Sequence, residues 1–373
     1  MKKIRTGVVG TGFVGIIHIE ALRRLGNIEV VAICERGDAQ KKAEELFVEL
    51  GYSDYKKMID EQNLDFIHIC TPNITHFEIA EYALSKDVNV VLEKPMTFNV
   101  DEAKELVKLA SQKNLVCAVN FHNRLYPACA YIKDIISKGE LGEVFSINGM
   151  YVQDWLLYDT DYSWRLNSKE SGNTRTVADI GSHWIDLIEY MTSSKVVSVL
   201  AEFKTVHPIR RKAVGDVESF SIVEAEEYEE FKIDTEDIVT LMFKMSNGAI
   251  GTSMFSQMVA GKKNKIDVII SGTKASAEWN LENHEEVIIG NRKKPNEIVK
   301  KDNLMMHKLS GLFDYPSGHL EGYPDAFKQV FKQVYGSVDN PSYASFKDGY
   351  RQMVINEKIY ESAKLRAWVD FEV

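Results

Sequence analysis

The stretch "TVADIGSHWIDLIEYM", Thr176 to Met191, carries Asp179, His183 and Asp186. Their spacing of i, i+4 and i+7 puts all three on one face if the segment is a single helix. An apolar stripe of Ile180, Trp184, Leu187 and Met191 runs beside them. A carboxylate and an imidazole one turn apart can cap, meet solvent, or move a proton, and histidine titrates where such transfer is useful. A second candidate is "VVLEKPMTFN", in which an apolar strand ends at Glu93-Lys94-Pro95. A lysine at a strand end can bridge to Glu93, sit in a solvated loop, or act on a substrate. A third is "HICTPNITH", which ends at Thr71-Pro72-Asn73 with His76 in the first turn of the next helix.

Ligands of open parallel sheets bind at the carboxyl ends of strands, so these segments need a sheet to place them. The start of the chain supplies one. "GVVGTGFVG" holds Gly10, Gly12 and Gly15 as G-x-G-x-x-G, with Thr11, Phe13 and Val14 between. An apolar strand precedes it and a helix follows, which is the context that gives the motif meaning. Gly10 permits the turn, Gly12 a close approach of pyrophosphate, and Gly15 close helix–strand packing. The helix N-terminus offers unpaired N–H groups to the phosphates. Glu35 lies 20 residues after Gly15, at the end of the next strand. A carboxylate there accepts from an adenosine ribose hydroxyl and repels a 2′-phosphate, which favours NAD. Arg36 leaves NADP open, because it can pair with that phosphate. His18 is read as a packing or bonding residue of the first helix.

Up to about residue 124 short buried strands alternate with amphipathic helices, the pattern of a doubly wound parallel sheet. One of these helices is expected to run through "AQKKAEELFVELG" to Gly51. The rhythm then changes to longer alternating strands, a hairpin signal at Asn247-Gly248, and two closing helices. The expected fold class is α/β: a Rossmann domain over 1–124, then an α+β domain over 125–373 with a large, mostly antiparallel open sheet. The acidic segment from His207 to Asp234 is expected to be a surface excursion.

The chain has 373 residues and a formal net charge of −10. That balance argues against nucleic acid and anionic membrane as partners. No run of apolar residues is long enough for a membrane helix, and no signal-peptide core follows the start, so the expected location is cytoplasmic. Cys34, Cys70, Cys117 and Cys129 form no CxxC pair and read as small, reduced hydrophobes. No metal-ligand spacing appears.

Together, the glycine motif, "TPNITH", "EKP" and "DIGSH" resemble, in order and spacing, the glucose–fructose oxidoreductase / inositol dehydrogenase (Gfo/Idh/MocA) family, over essentially the whole chain. The resemblance implies an NAD(P)-dependent dehydrogenase or reductase of sugars or cyclitols, with homodimers or homotetramers built through the C-terminal sheet. It implies that Lys94 is the catalytic lysine and that Asp179 and His183 are the family's Asp and His. Thr71, Pro72, Asn73 and His76 match a cofactor-lining segment. Glu93 matches a residue near the nicotinamide, and Pro95 is often cis in relatives. Asn120 and Arg124 resemble cofactor- or substrate-side residues, and Trp164-Arg165 a pair that reaches the cofactor in some members.

On this reading His183 exchanges the hydroxyl proton while hydride moves to or from the nicotinamide. Lys94 steadies charge on that oxygen, and Asp179 holds a neighbouring hydroxyl or the lysine. The aromatic and acidic segment "MYVQDWLLYDTDYSWRL" suits a sugar pocket, with Asp154 and Trp155 as substrate contacts beside Arg124. Asp186 and His319 receive no role. Two rivals stand beside it: an NAD-recycling enzyme that cleaves or epimerises a glycoside with the same residues, and an NAD-binding sensor without catalysis, which accounts for the glycine motif but not for Lys94, Asp179 and His183 together.

Overall fold

The computed structural model describes residues 3–214, 227–302, 309, 311–336 and 341–372. They form two compact units. The first comprises Met1–Leu125 with Glu321–Met353, the second Tyr126–Leu320 with Val354–Val373.

In the first unit the strands are β1 (Ile4–Val9), β2 (Ile28–Cys34), β3 (Leu50–Tyr52), β4 (Phe66–Ile69), β5 (Asn89–Leu92) and β6 (Cys117–Val119). All pair in parallel, and the order β6-β5-β4-β1-β2-β3 reverses direction between β1 and β4. That reversal is the switch point at which doubly wound sheets open a crevice. Val8, Ile33, Ile67, Ile69, Val90, Val91 and Leu92 are almost wholly buried, as strands covered on both faces must be. The helix expected to reach Gly51 is shorter, Ala39–Glu45. Phe47 has φ 54°, and Arg23 closes the end by donating to the carbonyls of Leu46 and Phe47. This frees Leu50–Tyr52 to add an edge strand.

The segment Glu321–Met353 falls within 125–373, yet it packs with the first unit. The helix Tyr323–Tyr335 buries Phe327, Val330, Phe331 and Val334. Phe327 and Phe331 lie against His18, and the Tyr335 ring lies 4.1 Å from that of Phe66. A short edge strand, Ala344–Ser345, then pairs antiparallel with β6. The spacing of apolar residues shows that a helix has a face to bury, but not which sheet receives it.

The second unit holds a nine-stranded sheet. Its central strands are β7 (Val144–Val152), β8 (Val196–Lys204), β11 (Ile238–Met245), β12 (Ile250–Ser256) and β13 (Lys265–Gly272), with β9 (Ile209–Ala213) and β10 (Tyr228–Lys232) as a separate ladder. Among the described pairs only β7 and β12 run parallel. Alternate residues of β11 are buried and exposed, the pattern of a sheet covered on one face. Gly248 turns the β11–β12 hairpin with φ 88°. Trp184 packs on Phe243 and Phe255 and donates its indole N–H to the Asp267 carbonyl at 2.9 Å, fastening its helix to the covered face.

Two expectations change here. Thr176–Met191 is not one uniform α-helix: Val177–Gly181 is a π-turn, and Ser182–Thr192 continues as α. Every residue from Ser182 to Met191 is buried, so the helix is enclosed on all sides instead of presenting a solvated stripe. The segment from His207 to Asp234 is also more than a surface excursion. It carries the β9–β10 ladder, and Arg210 is fully buried; the middle of the segment, 215–226, lies outside the described residues.

Candidate functional site

In the first unit the glycine motif is built as its spacing requires. Gly10 has φ 84°, and a Cβ there would stand 2.8 Å from the Cys70 carbonyl oxygen. At Gly15 a Cβ would lie 2.0 Å from the Gly10 carbonyl oxygen, so only glycine lets the helix Phe13–Leu25 sit this close to the turn. Gly12 is different: nothing lies within 4 Å of where its Cβ would be. It is the N-cap of that helix, which has no side-chain cap and no acid in its first turn. Open space at an uncapped helix N-terminus fits a pyrophosphate. Glu35 is fixed beside it: one oxygen accepts from the backbone N–H (2.7 Å) and hydroxyl (2.6 Å) of Thr11, the other from the N–H of Arg36. The carboxylate is thus presented with spare acceptor capacity for a ribose hydroxyl, while the Arg36 side chain is exposed. These residues fit a dinucleotide.

The other two strand-end segments are tied together. His76 is buried, with Nε2 2.7 Å from the Thr71 carbonyl and Nδ1 3.0 Å from the Pro95 carbonyl. Burial holds its pKa below the ordinary value against the pull of those carbonyls. His76 therefore acts on the loops as a brace. Thr75 adds bonds to the Thr71 hydroxyl and the Pro72 carbonyl, and Asn73 is buried. Lys94–Pro95 is a cis peptide bond. Glu93 is buried and held at about 2. Burial alone would raise it, but the hydrogen bond and charge of His18, the charge of Lys94 and a bond from Asn120 prevail. Its Oε1 accepts from His18 Nε2 at 3.0 Å and from Asn120 Nδ2 at 2.6 Å. Arg124, read above as facing cofactor or substrate, is buried and paired with Asp348 at 3.1 Å.

In the second unit Asp179 is gripped on both oxygens. Arg165 Nε donates to one at 3.2 Å and Gln257 Nε2 to the other at 2.8 Å. The Arg165 guanidinium in turn lies 4.7 Å over the Trp164 ring. His183, one turn on, is 4% exposed, with the Tyr151 ring centroid 6.4 Å away. The turn that carries both is capped from the loop before β11: the Glu236 carboxylate accepts from the N–H groups of Arg175 and Val177. Beneath it the Asp237 carboxylate pairs with the buried guanidiniums of Arg175 and Arg210. Arg210 also donates to the carbonyls of Leu156 and Tyr158, so it shapes the segment read as a sugar pocket. Within that segment Asp154 accepts from Gly261 N–H and Lys263, Trp155 donates to Gln153, and Trp155 and Tyr162 pack on Leu156, Leu166 and Ile233. Asp186 is 1% exposed.

The structure thus joins Asp179 with Arg165, and Thr71 with His76 and Pro95. Sequence reasoning missed Gln257, Arg175, Arg210, Glu236 and Asp237. Glu236-Asp237 immediately before an alternating strand was the available signal, since paired acids there must find cations or N–H groups. Among the described residues no cluster of three or more His, Cys, Asp or Glu side chains is placed to hold a metal ion, and no helix is long and apolar enough to cross a membrane.

A model of the oxidoreductase family with an NAD-binding Rossmann fold matches residues 4–121, and a GFO/IDH/MocA C-terminal domain model matches 129–278. The chain is 28% identical to levoglucosan dehydrogenase of Pseudarthrobacter phenanthrenivorans, covering 99% of this chain and 98% of that protein. It is 34% identical to glycosyl hydrolase family 109 protein 2 of Phocaeicola vulgatus, over 40% of this chain and 39% of the relative. A solved structure of levoglucosan dehydrogenase in complex with NADH and L-sorbose superposes with a TM-score of 0.87 at 27% identity over the full length of both chains.

Proposed function

This chain belongs to the GFO/IDH/MocA family of NAD-binding oxidoreductases, and on that premise we propose that it is a dehydrogenase of a sugar or sugar-like secondary alcohol. The observation that carries the reading is the Asp179 carboxylate, held on both oxygens by Arg165 and Gln257 one turn ahead of the buried imidazole of His183. A carboxylate so held cannot swing, and a fixed acceptor is what orienting a polyol hydroxyl requires.

The dinucleotide, when bound, accepts or returns the hydride. The chain does the rest. Gly12 and the first turn of the helix Phe13–Leu25 hold the pyrophosphate, and Glu35 takes the ribose, where its charge disfavours a 2′-phosphate. His183 takes the hydroxyl proton on oxidation and returns it on reduction. Lys94 stabilises negative charge on the reacting oxygen. Asp179 orients the substrate through a neighbouring hydroxyl. The likeness to levoglucosan dehydrogenase supports anhydro-sugars as the first substrates to try.

The test is a turnover screen with NAD⁺ and NADP⁺ over levoglucosan, other sugars and inositols. NADH formed mole for mole with ketone supports the reading, and Lys94→Ala and His183→Ala should abolish it. The partial likeness to a glycosyl hydrolase favours a second reading: cleavage of a glycoside without net NADH would replace the first. We further propose a cytoplasmic homo-oligomer assembled on the uncovered face of the β11–β12 sheet, where Met242 and Ile250 are exposed. Light scattering on the purified chain and on Ile250→Lys checks it: a monomeric wild type refutes it.

A further inference from the structure

A row of buried side chains in the first unit has no part in that reading. From Glu93 Oε1 it runs to His18 Nε2 (3.0 Å), from His18 Nδ1 to His68 Nδ1 (2.7 Å), from His68 Nε2 to the Tyr335 hydroxyl (2.9 Å), and from there to Thr6 Oγ1 (3.0 Å). His18, His68 and Thr6 are 0% exposed. Phe331 packs on both imidazoles and Phe327 on His18, so the walls are apolar.

The hydrogens of this row follow from its geometry. An ionised carboxylate only accepts, so His18 Nε2 carries a hydrogen. Two Nδ1 atoms at 2.7 Å must share one proton, because two would collide and none would leave two lone pairs facing. Burial first, and then the charge of His18, hold the His68 pKa well below 6.5, so His68 carries a single ring hydrogen. Two arrangements remain. In one, His68 Nδ1 donates to His18, Tyr335 donates to His68 Nε2, and Thr6 donates to Tyr335. In the other, His18 Nδ1 donates to His68, whose Nε2 donates to Tyr335, which donates to Thr6. They differ by one proton on His18. Every link is satisfied in both, and Glu93 receives the Nε2 hydrogen in both.

The other titratable neighbours of this row do not compete for that role. His122 is held down at about 3, chiefly by burial, and His76 is also lowered by burial. Burial raises the Cys70 thiol well above its usual range. Asp65 acts on Tyr335, whose hydroxyl burial keeps protonated. Lys94 is the remaining cation that acts on Glu93.

We propose that His18 and His68 are a proton-sharing pair that keeps Glu93 ionised and fixed beside Lys94, which makes both histidines positioning residues of the reaction. The proposal rests on the reading above that Lys94 acts on the substrate. Its first test does not: NMR of the full chain with ¹⁵N-labelled histidine and ¹³C-carboxyl-labelled glutamate. One N–H···N proton shared by two Nδ1 atoms and a Glu93 carboxyl that does not titrate above about pH 4 support it. Independent titration of the two imidazoles, or a Glu93 midpoint at the ordinary carboxyl value, overturns it.

The second test compares His18→Ala, His68→Ala and His68→Asn in NAD⁺-dependent turnover of levoglucosan, or of the sugar the screen identifies. In His18→Ala, Glu93 retains the Asn120 bond and the charge of Lys94 but loses the larger pull of His18 and should titrate higher, so the ratio of kcat at pH ~5 to kcat at pH ~8 falls about tenfold below the wild-type ratio, with KM for NAD⁺ little changed. His68→Asn keeps a donor at the Nδ1 position and should restore the wild-type profile that His68→Ala loses. A His18→Ala enzyme with the wild-type pH profile overturns the proposal. If no sugar is turned over, the dehydrogenase reading fails, while the NMR result still decides whether the pair shares a proton and holds Glu93.

Discussion

Gly12 and Gly15 belong to one motif, yet the structure assigns them separable tasks, and two alanine substitutions should pull them apart. At Gly15 the new methyl carbon would stand 2.0 Å from the Gly10 carbonyl oxygen. An ordinary contact needs about 3.4 Å, so the helix or the turn must move by more than ~1 Å. Overpacking of this kind costs about 1–3 kcal/mol, against a gain of about 1 kcal/mol from replacing glycine within a helix. Gly15→Ala should therefore lose up to about 2 kcal/mol of stability. At Gly12 nothing lies within 4 Å of the new carbon, and φ is −69°, which any residue adopts. Alanine there costs about 0.5–1 kcal/mol as the poorer N-cap, offset in part by the greater freedom glycine has in the unfolded chain. The methyl would instead occupy the space reserved for the pyrophosphate. NADH affinity should fall at least about tenfold, equivalent to about 1.4 kcal/mol. Urea unfolding reads the first effect and NADH fluorescence titration the second. A Gly12→Ala protein that binds NADH as well as wild type would refute the assignment of that space to the cofactor. Equal destabilisation by the two substitutions would refute the packing argument.

Acid should weaken the first unit in two overlapping windows. His122 is held at about 3 against an ordinary 6.5, so the unfolded chain binds its proton first, and the contribution, on the order of 5 kcal/mol at most, is present above pH 6.5 and lost as pH falls towards 3. Glu93, at about 2 against 4.5, adds about 3 kcal/mol that is lost between pH 4.5 and 2; urea midpoints measured at intervals from neutral to pH ~2 should fall through both windows, a flat profile above pH 4.5 contradicting the first and a flat profile below it the second. Asp237→Ala strips the shared partner from two buried guanidiniums and should cost about 3–5 kcal/mol in urea unfolding, far more than Asp159→Ala, whose partner Arg211 is exposed. Glu35→Gln keeps the side chain's shape but removes its charge, so the ratio of kcat/KM for NAD⁺ over NADP⁺ should fall about tenfold, and an unchanged ratio would remove Glu35 from the ribose. Gln257→Leu removes one of the donors that hold Asp179, so KM for the sugar should rise severalfold while KM for NAD⁺ holds.

What depends on neighbours along the chain was legible in the amino-acid sequence. Gly10, Gly12 and Gly15 could be read because each glycine answers a backbone demand within one turn. The alternating burial of β11 and the hairpin at Gly248 could be read because strand periodicity and turn chemistry are local. Segments ending in Thr71, Lys94 and Asp179 stood out because polar residues at the ends of apolar runs are costly unless used. Other features depend on which distant segments meet. The helix Tyr323–Tyr335 has an apolar face, but its spacing could not say that this face closes over His18 and His68. Arg210 lay in a stretch that reads as acidic surface, and only its burial against Asp237 shows that it braces Leu156 and Tyr158. Thr176–Met191 has a helical pattern, but the π-turn at Val177–Gly181 and the grip of Arg165 and Gln257 on Asp179 come from the packing around it. Periodicity reports that a side chain must be buried. The partner it is buried against is set by contacts far apart in sequence, and only the tertiary structure contains those.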